Sequence, residues 1–155
     1  MSFDPRFSLA LALAALGWSA APASAQPIFD LKAVTEIRAQ YLADLDSVRT
    51  KVVALANAIP EGSFQWRPAP GTRTVSEALM HVASEWYFYA PLVVGGKPPA
   101  DFGPPRETIP KLEKVTGKGE VLAHLEKSWA HCRAEIQSLD PATLARRQLT
   151  TFADF

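Results

Sequence analysis

The stretch Phe64-Gln65-Trp66-Arg67-Pro68-Ala69-Pro70-Gly71-Thr72-Arg73-Thr74-Val75-Ser76-Glu77-Ala78-Leu79-Met80-His81-Val82-Ala83-Ser84-Glu85 decides the fold. It opens as a turn punctuated by Pro68, Pro70 and Gly71 and then becomes a helix. Thr74-Val75-Ser76-Glu77 is a capping box: the Thr74 hydroxyl and the Glu77 carboxylate satisfy two backbone donors that a helix start leaves orphaned. Val75, Leu79, Val82, Trp86, Tyr89 and Val93 then recur on one helical face. Pro91 is expected to kink or end this helix, and Gly95-Gly96 to close it. Trp66 is expected to fold the preceding turn over the end of the bundle.

Upstream, Leu31, Val34, Ile37, Tyr41, Leu45, Val48, Val52, Leu55 and Ile59 recur at steps of three and four, with charged residues between them. This is the seam of a long helix from about Asp30 to Ala58, ended by Pro60-Glu61-Gly62. Downstream, residues 95–117 carry Pro98, Pro99, Gly103, Pro104, Pro105 and Pro110. Antiparallel neighbours need only a few connecting residues, so a connection of this length reads as a crossover that places the second and third helices parallel. The third helix runs from about Gly119 to Leu139, with Leu122, Leu125, Trp129, Cys132, Ile136 and Leu139 inward. Asp140-Pro141, an N-cap followed by Pro at N1, starts a fourth. The predicted class is all-α, a four-helix bundle whose fourth helix is largely missing.

The N-terminus reads differently. Arg6 precedes the apolar run Phe7 to Leu16, which passes through Gly17 and Trp18 into small residues ending Ala23-Ser24-Ala25. A short apolar core and an A-x-A site make a secretory signal peptide over residues 1–25. The remaining 26–155 form one bundle domain, exported to the periplasm or secreted. Its about 130 residues suffice for a single core. Lys and Arg number 16, as do Asp and Glu, and the basic residues are scattered, which argues against nucleic acid as a partner. After signal cleavage no apolar run approaches membrane-spanning length. Cys132, the single cysteine, has no partner for an internal disulfide and lies on an apolar face, where it reads as packing.

The titratable residues that could carry chemistry are few. His81 lies one position off the second stripe, with Glu85 at i+4, close enough to hydrogen-bond the imidazole or join it on a cation. His124 and His131 share a face of the third helix at spacing seven. That is about two turns and too far apart for one ion, because ligand pairs on a helix sit at i, i+4. They read as a solvated face paired with Glu120 and Glu135. No P-loop, G-x-S-x-G, G-x-G-x-x-G or C-x-x-C is present.

The residues Phe64 to Ala83, with the pattern W-x-P-x-x-G followed by S-x-x-L-x-H, resemble the signature of the DinB-like superfamily, and GGKPPADFGPPRE and HLEKSWAHCRAEI resemble its exported members. The resemblance spans most of residues 30–145. It implies an up-down-down-up four-helix bundle and, in some members, a metal-dependent thiol transferase or hydrolase. It implies zinc or nickel held by three histidines: one in the second helix, matched by His81, and an H-x-x-x-H pair in the fourth. No histidine follows His131 in this sequence, so the expectation is an incomplete site with His81 as its surviving ligand and metal not tightly held. Catalytic residues remain unassigned. A missing fourth helix leaves inward stripes uncovered, which favours homo-oligomerisation through the exposed bundle seam. The alternatives are a non-catalytic helical binding or association module, and a non-functional remnant.

Overall fold

The computed structural model describes residues 30–145. Among them the elements are α1 (Leu31–Ala58), a 3₁₀ turn (Glu61–Ser63), α2 (Val75–Ser84), a π-helical turn (Glu85–Tyr89), α3 (Ala90–Val93), α4 (Pro105–Leu112), α5 (Lys118–Ser138) and α6 (Pro141–Leu144), with no strand. The signal-peptide segment and the course of the chain beyond Ala145 lie outside the described residues.

α5 is the axis on which α1 and α2 both pack. Lys118 at its start donates to the carbonyls of Asn57 and Ile59, each at 2.7 Å. Arg38 near the start of α1 donates to the Leu139 carbonyl beyond its other end, at 2.7 Å. α1 therefore runs antiparallel to α5. Midway, Arg49 grips Glu126 with two donors and lies over the Trp129 ring, 5.1 Å from its centroid. The α2 path runs the other way: Gln65 reaches the Thr116 carbonyl, Tyr87 meets His124, and the Lys97 amide donates to Glu135 at 2.9 Å. The crossover thus delivers two parallel helices, as its length predicts.

The core lies chiefly between α2 with its π turn and α5. Leu79, Met80, Ala83, Trp86, Tyr87 and Phe88 pack with Val121, Leu125, Cys132 and Ile136, and Phe64 closes the lower end. Burying a side chain of this size is worth roughly 1.5–3 kcal/mol, so this interface carries more of the stability than the face of α1. Only Val34, Leu45 and Ala56 of α1 are buried. Ile37, Tyr41, Val48 and Leu55 are between 44% and 58% exposed. The apolar stripe expected to face inward is divided: one edge of it meets α5 and the other is open.

One further local expectation is corrected, at Trp66, and the second helix and the crossover carry detail beyond the sequence reading. Pro91 does not end the second helix, which continues to Val93. A proline lacks the amide proton and its ring crowds the carbonyl four residues back. Here the π turn widens the coil just ahead of it, with the Ala90 amide reaching back to the Glu85 carbonyl. The crossover is not irregular throughout, because α4 occupies its middle, with Pro105 at the start and Pro110 inside. Trp66 does not cover the bundle end and stands 62% exposed, while its neighbour Phe64 takes the buried place. By contrast, Asp30 caps α1 by accepting from the Ala33 amide at 2.7 Å, and both halves of the Thr74–Glu77 capping box form.

Candidate functional site

The turn before α2 is built to hold the first turns of that helix in place. Gly71 takes φ +82, a left-handed conformation that a Cβ would strain, and lets Pro68 to Thr72 double back. The Phe64 and Trp66 carbonyls accept from the amides of Ser76 and Val75 at 2.9 and 3.1 Å, so the loop is stitched to the helix start. Arg67 pairs with Glu77 at 3.3 Å. The Glu77 carboxyl is held below the usual carboxylate range, first by the Thr74 amide and also by Arg67 and Arg73. Arg73 projects from the same turn across the face that carries His81.

His81 sits in the second turn of α2, partly exposed, with both ring nitrogens facing carboxylates. Nδ1 lies 3.2 Å from Oε1 of Glu113, and Nε2 lies 3.6 Å from Oε1 of Glu85. The sequence anticipates the Glu85 contact. Glu113, the C-cap residue of α4, is brought in by the crossover, and α4 packs on α2. Arg73 lies 3.3 Å from the same Glu113 oxygen and 3.5 Å from His81 Nδ1, completing a four-residue cluster. Sequence reading missed Glu113 and Arg73. The available signals were Pro104-Pro105 as a helix start and the position of Arg73 beside the cap.

An ionised carboxylate only accepts hydrogen bonds. A proton on Nδ1 would let the ring donate to Glu113, with Nε2 then facing Glu85. A carboxylate that orients a histidine through its distal nitrogen is the usual support of an imidazole ligand.

The side chains gathered at His81 do not make a three-imidazole centre. His124 and His131 are committed elsewhere: His124 Nδ1 meets the Tyr87 hydroxyl at 3.3 Å, and His131 Nε2–H donates to the Lys97 carbonyl at 2.8 Å. Both are half-buried, His124 against the π turn and His131 against the crossover, where the expected solvated face with Glu120 and Glu135 does not form; Glu135 instead accepts from the Lys97 amide. Burial and then Lys127 hold the His124 pKa below the ordinary histidine value, and burial pushes the Tyr87 phenol up to about 12. Among the described residues no group of three or more His, Cys, Asp or Glu side chains is arranged to hold a metal ion. The reason at His81 is geometric: its two carboxylates lie on opposite ring nitrogens, so no single ion reaches all three residues. Cys132 is buried and its thiol is raised to about 12 by that burial, in keeping with packing.

Glu85 has a second environment. It lines an apolar groove of about 560 Å³ whose walls include Val34, Ile37, Tyr41, Trp86, Tyr89 and Ile136. The His81–Glu85 pair therefore adjoins this groove. Among the described residues, no helix is long and apolar enough to cross a membrane. The sequence model of the DinB superfamily matches residues 44–154. No curated protein and no solved structure gives a match.

Proposed function

The chain belongs to the DinB superfamily, and from that premise we propose that it is an exported helical domain of the superfamily's metal-binding type, to whose site His81 contributes one imidazole and Glu85 a carboxylate. The observation that carries this reading is the divided bonding of His81, with Nδ1 toward Glu113 and Nε2 toward Glu85. Glu113 keeps the proton at Nδ1 and sets the ring plane, and Arg73 holds Glu113 in place. A divalent ion such as zinc or nickel, when bound, supplies an acidified water or thiol. The up-down-down-up arrangement and a hydrolase or transferase activity belong to the same proposal by resemblance, and no side chain is assigned a catalytic step.

Two donors hold zinc weakly where three imidazoles hold it tightly. Titration with zinc against a chromophoric competitor is expected to show saturable one-to-one uptake that is lost in His81→Ala and does not survive dialysis. Uptake unaffected by His81→Ala overturns the assignment. Export is tested by fractionation and N-terminal sequencing of the accumulated protein, with Gln26 expected first.

The groove favours a second reading, a module that binds an elongated apolar ligand with its polar end toward Glu85. Apolar walls with a few convergent polar groups are the usual form of a small-molecule site. Quenching of tryptophan emission by an apolar probe, reversed by Trp86→Ala, tests it.

A further inference from the structure

We propose that the exposed face of α1 pairs with the same face of a second copy of this chain, antiparallel about a two-fold axis that passes near Val48. Ile37, Tyr41, Asp44, Val48, Lys51 and Leu55 follow one another along α1 at alternating steps of four and three. That is the spacing of a seam designed for another helix. All six are exposed. α5 meets α1 along the neighbouring edge, through Leu45, Ala56, Arg49 and Asp46, so these six residues mark the edge of α1 that α5 leaves open, with Ile37 and Tyr41 also bordering the groove.

The two charges in the stripe select the occupant. Asp44 and Lys51 lie on either side of Val48, with Tyr41 and Leu55 beyond them. A parallel copy would bring Asp44 toward Asp44 and Lys51 toward Lys51. An antiparallel copy brings each Asp44 within a helical turn of Lys51 on the other chain, twice, and sets Tyr41 near Leu55 at both ends. An interface whose halves are each other's complement under a two-fold rotation is the isologous kind that closes as a dimer. Asp44 accepts a local bond from Gln40, at 3.0 Å, and Asp44 and Lys51 are both exposed. The inference rests on α1 alone and stands whether or not His81 binds metal. Asp44 and Lys51 do not line the apolar groove, whereas Ile37 and Tyr41 belong to both surfaces, so the charge exchanges act on the seam without altering a groove side chain.

The test is charge exchange in the full chain, read by sedimentation equilibrium with circular dichroism as the check on folding. The unaltered chain is expected to dimerise. Asp44→Lys and Lys51→Asp, each alone, place like charges across both ends of the axis and are expected to weaken the dimer at least about tenfold. An equimolar mixture of the two variants, and the double variant D44K/K51D, are expected to recover it. Association that is indifferent to every exchange, as an apolar N-terminal segment would produce, overturns the proposal. So does a monomer at all concentrations, which would mean that this face is covered from within the chain or left bare.

Discussion

His81 and Glu113 are 32 residues apart in sequence, and the imidazole Nδ1 of one lies 3.2 Å from a carboxylate oxygen of the other. The crossover makes this contact possible by coiling into α4 and setting down its last turn against α2. On the proposed metal reading the contact places Glu113 behind the imidazole and leaves Nε2, on the Glu85 side, as the nitrogen for the cation.

Glu113→Gln removes an acceptor-only group and replaces it with an amide that tolerates either ring tautomer. Zinc affinity at His81 is expected to fall about 10- to 100-fold, the usual effect of losing the partner behind an imidazole ligand. The thermal midpoint is expected to change little, because the pair is partly solvated. Competition titration checks the affinity. An unchanged affinity would show that Glu113 only packs against the ring.

Thr74→Ala removes the hydroxyl that accepts from the Glu77 amide at 3.2 Å and contacts the buried Ser76 hydroxyl at 3.1 Å. Loss of an N-cap of this type costs about 1 kcal/mol. Thr74→Ser, which keeps the oxygen, is expected to retain most of it. Urea unfolding of the three proteins measures the difference, and equal midpoints for the alanine and unaltered chains would refute the cap's contribution.

The helices were legible because their signals are local. The capping box at Thr74 and the periodic stripes each act within a turn or two of sequence, and the structure shows them where the residues place them. What was not legible depends on partners distant in sequence. Periodicity identifies Ile37, Tyr41, Val48 and Leu55 as apolar and in line, but only the position of α5 decides which edge of α1 is covered. The same holds for His124 and His131: their spacing excludes a shared ion, yet nothing within the third helix reveals that Tyr87 and Lys97 lie over them. At Pro91 the sequence left a kink and an end both open, and the π turn just ahead of it, with the helix running on to Val93, is a feature no local signal announces.

Gly96→Ala tests the turn that follows this π segment. The Gly96 amide donates to the Pro91 carbonyl at 2.7 Å, and a Cβ there would stand 3.1 Å from both the Pro91 carbonyl oxygen and its Cβ, and 3.3 Å from Cβ of Glu135. Backbone and a buried proline ring cannot step aside as a flexible side-chain end can. The substitution is expected to cost about 1–3 kcal/mol, seen as a lower urea midpoint. A midpoint equal to that of the unaltered chain would mean that the crossover moves freely against α5 at this point.

The contact of the π turn with α5, between Tyr87 and His124, makes stability depend on pH. His124 is partly buried there, and burial, then the neighbouring Lys127, hold its pKa below the ordinary 6.5, with Glu120 opposing them. In the window below that value the unfolded chain binds a proton that the folded chain resists, so the folded state loses stability as pH falls from 6.5 through the lowered pKa. Above 6.5 both states are neutral at this residue and its contribution is constant. His124→Gln keeps a side-chain acceptor for the Tyr87 hydroxyl and removes the titration. The unaltered chain is therefore expected to lose more of its unfolding free energy than His124→Gln between about pH 7.5 and pH 5.5, with the two curves parallel at higher pH. Urea unfolding at a series of pH values gives both curves. Because His81 and His131 are present in both proteins, the difference between the curves belongs to His124, and parallel curves throughout would show that its imidazole takes up a proton in the folded chain as readily as in water.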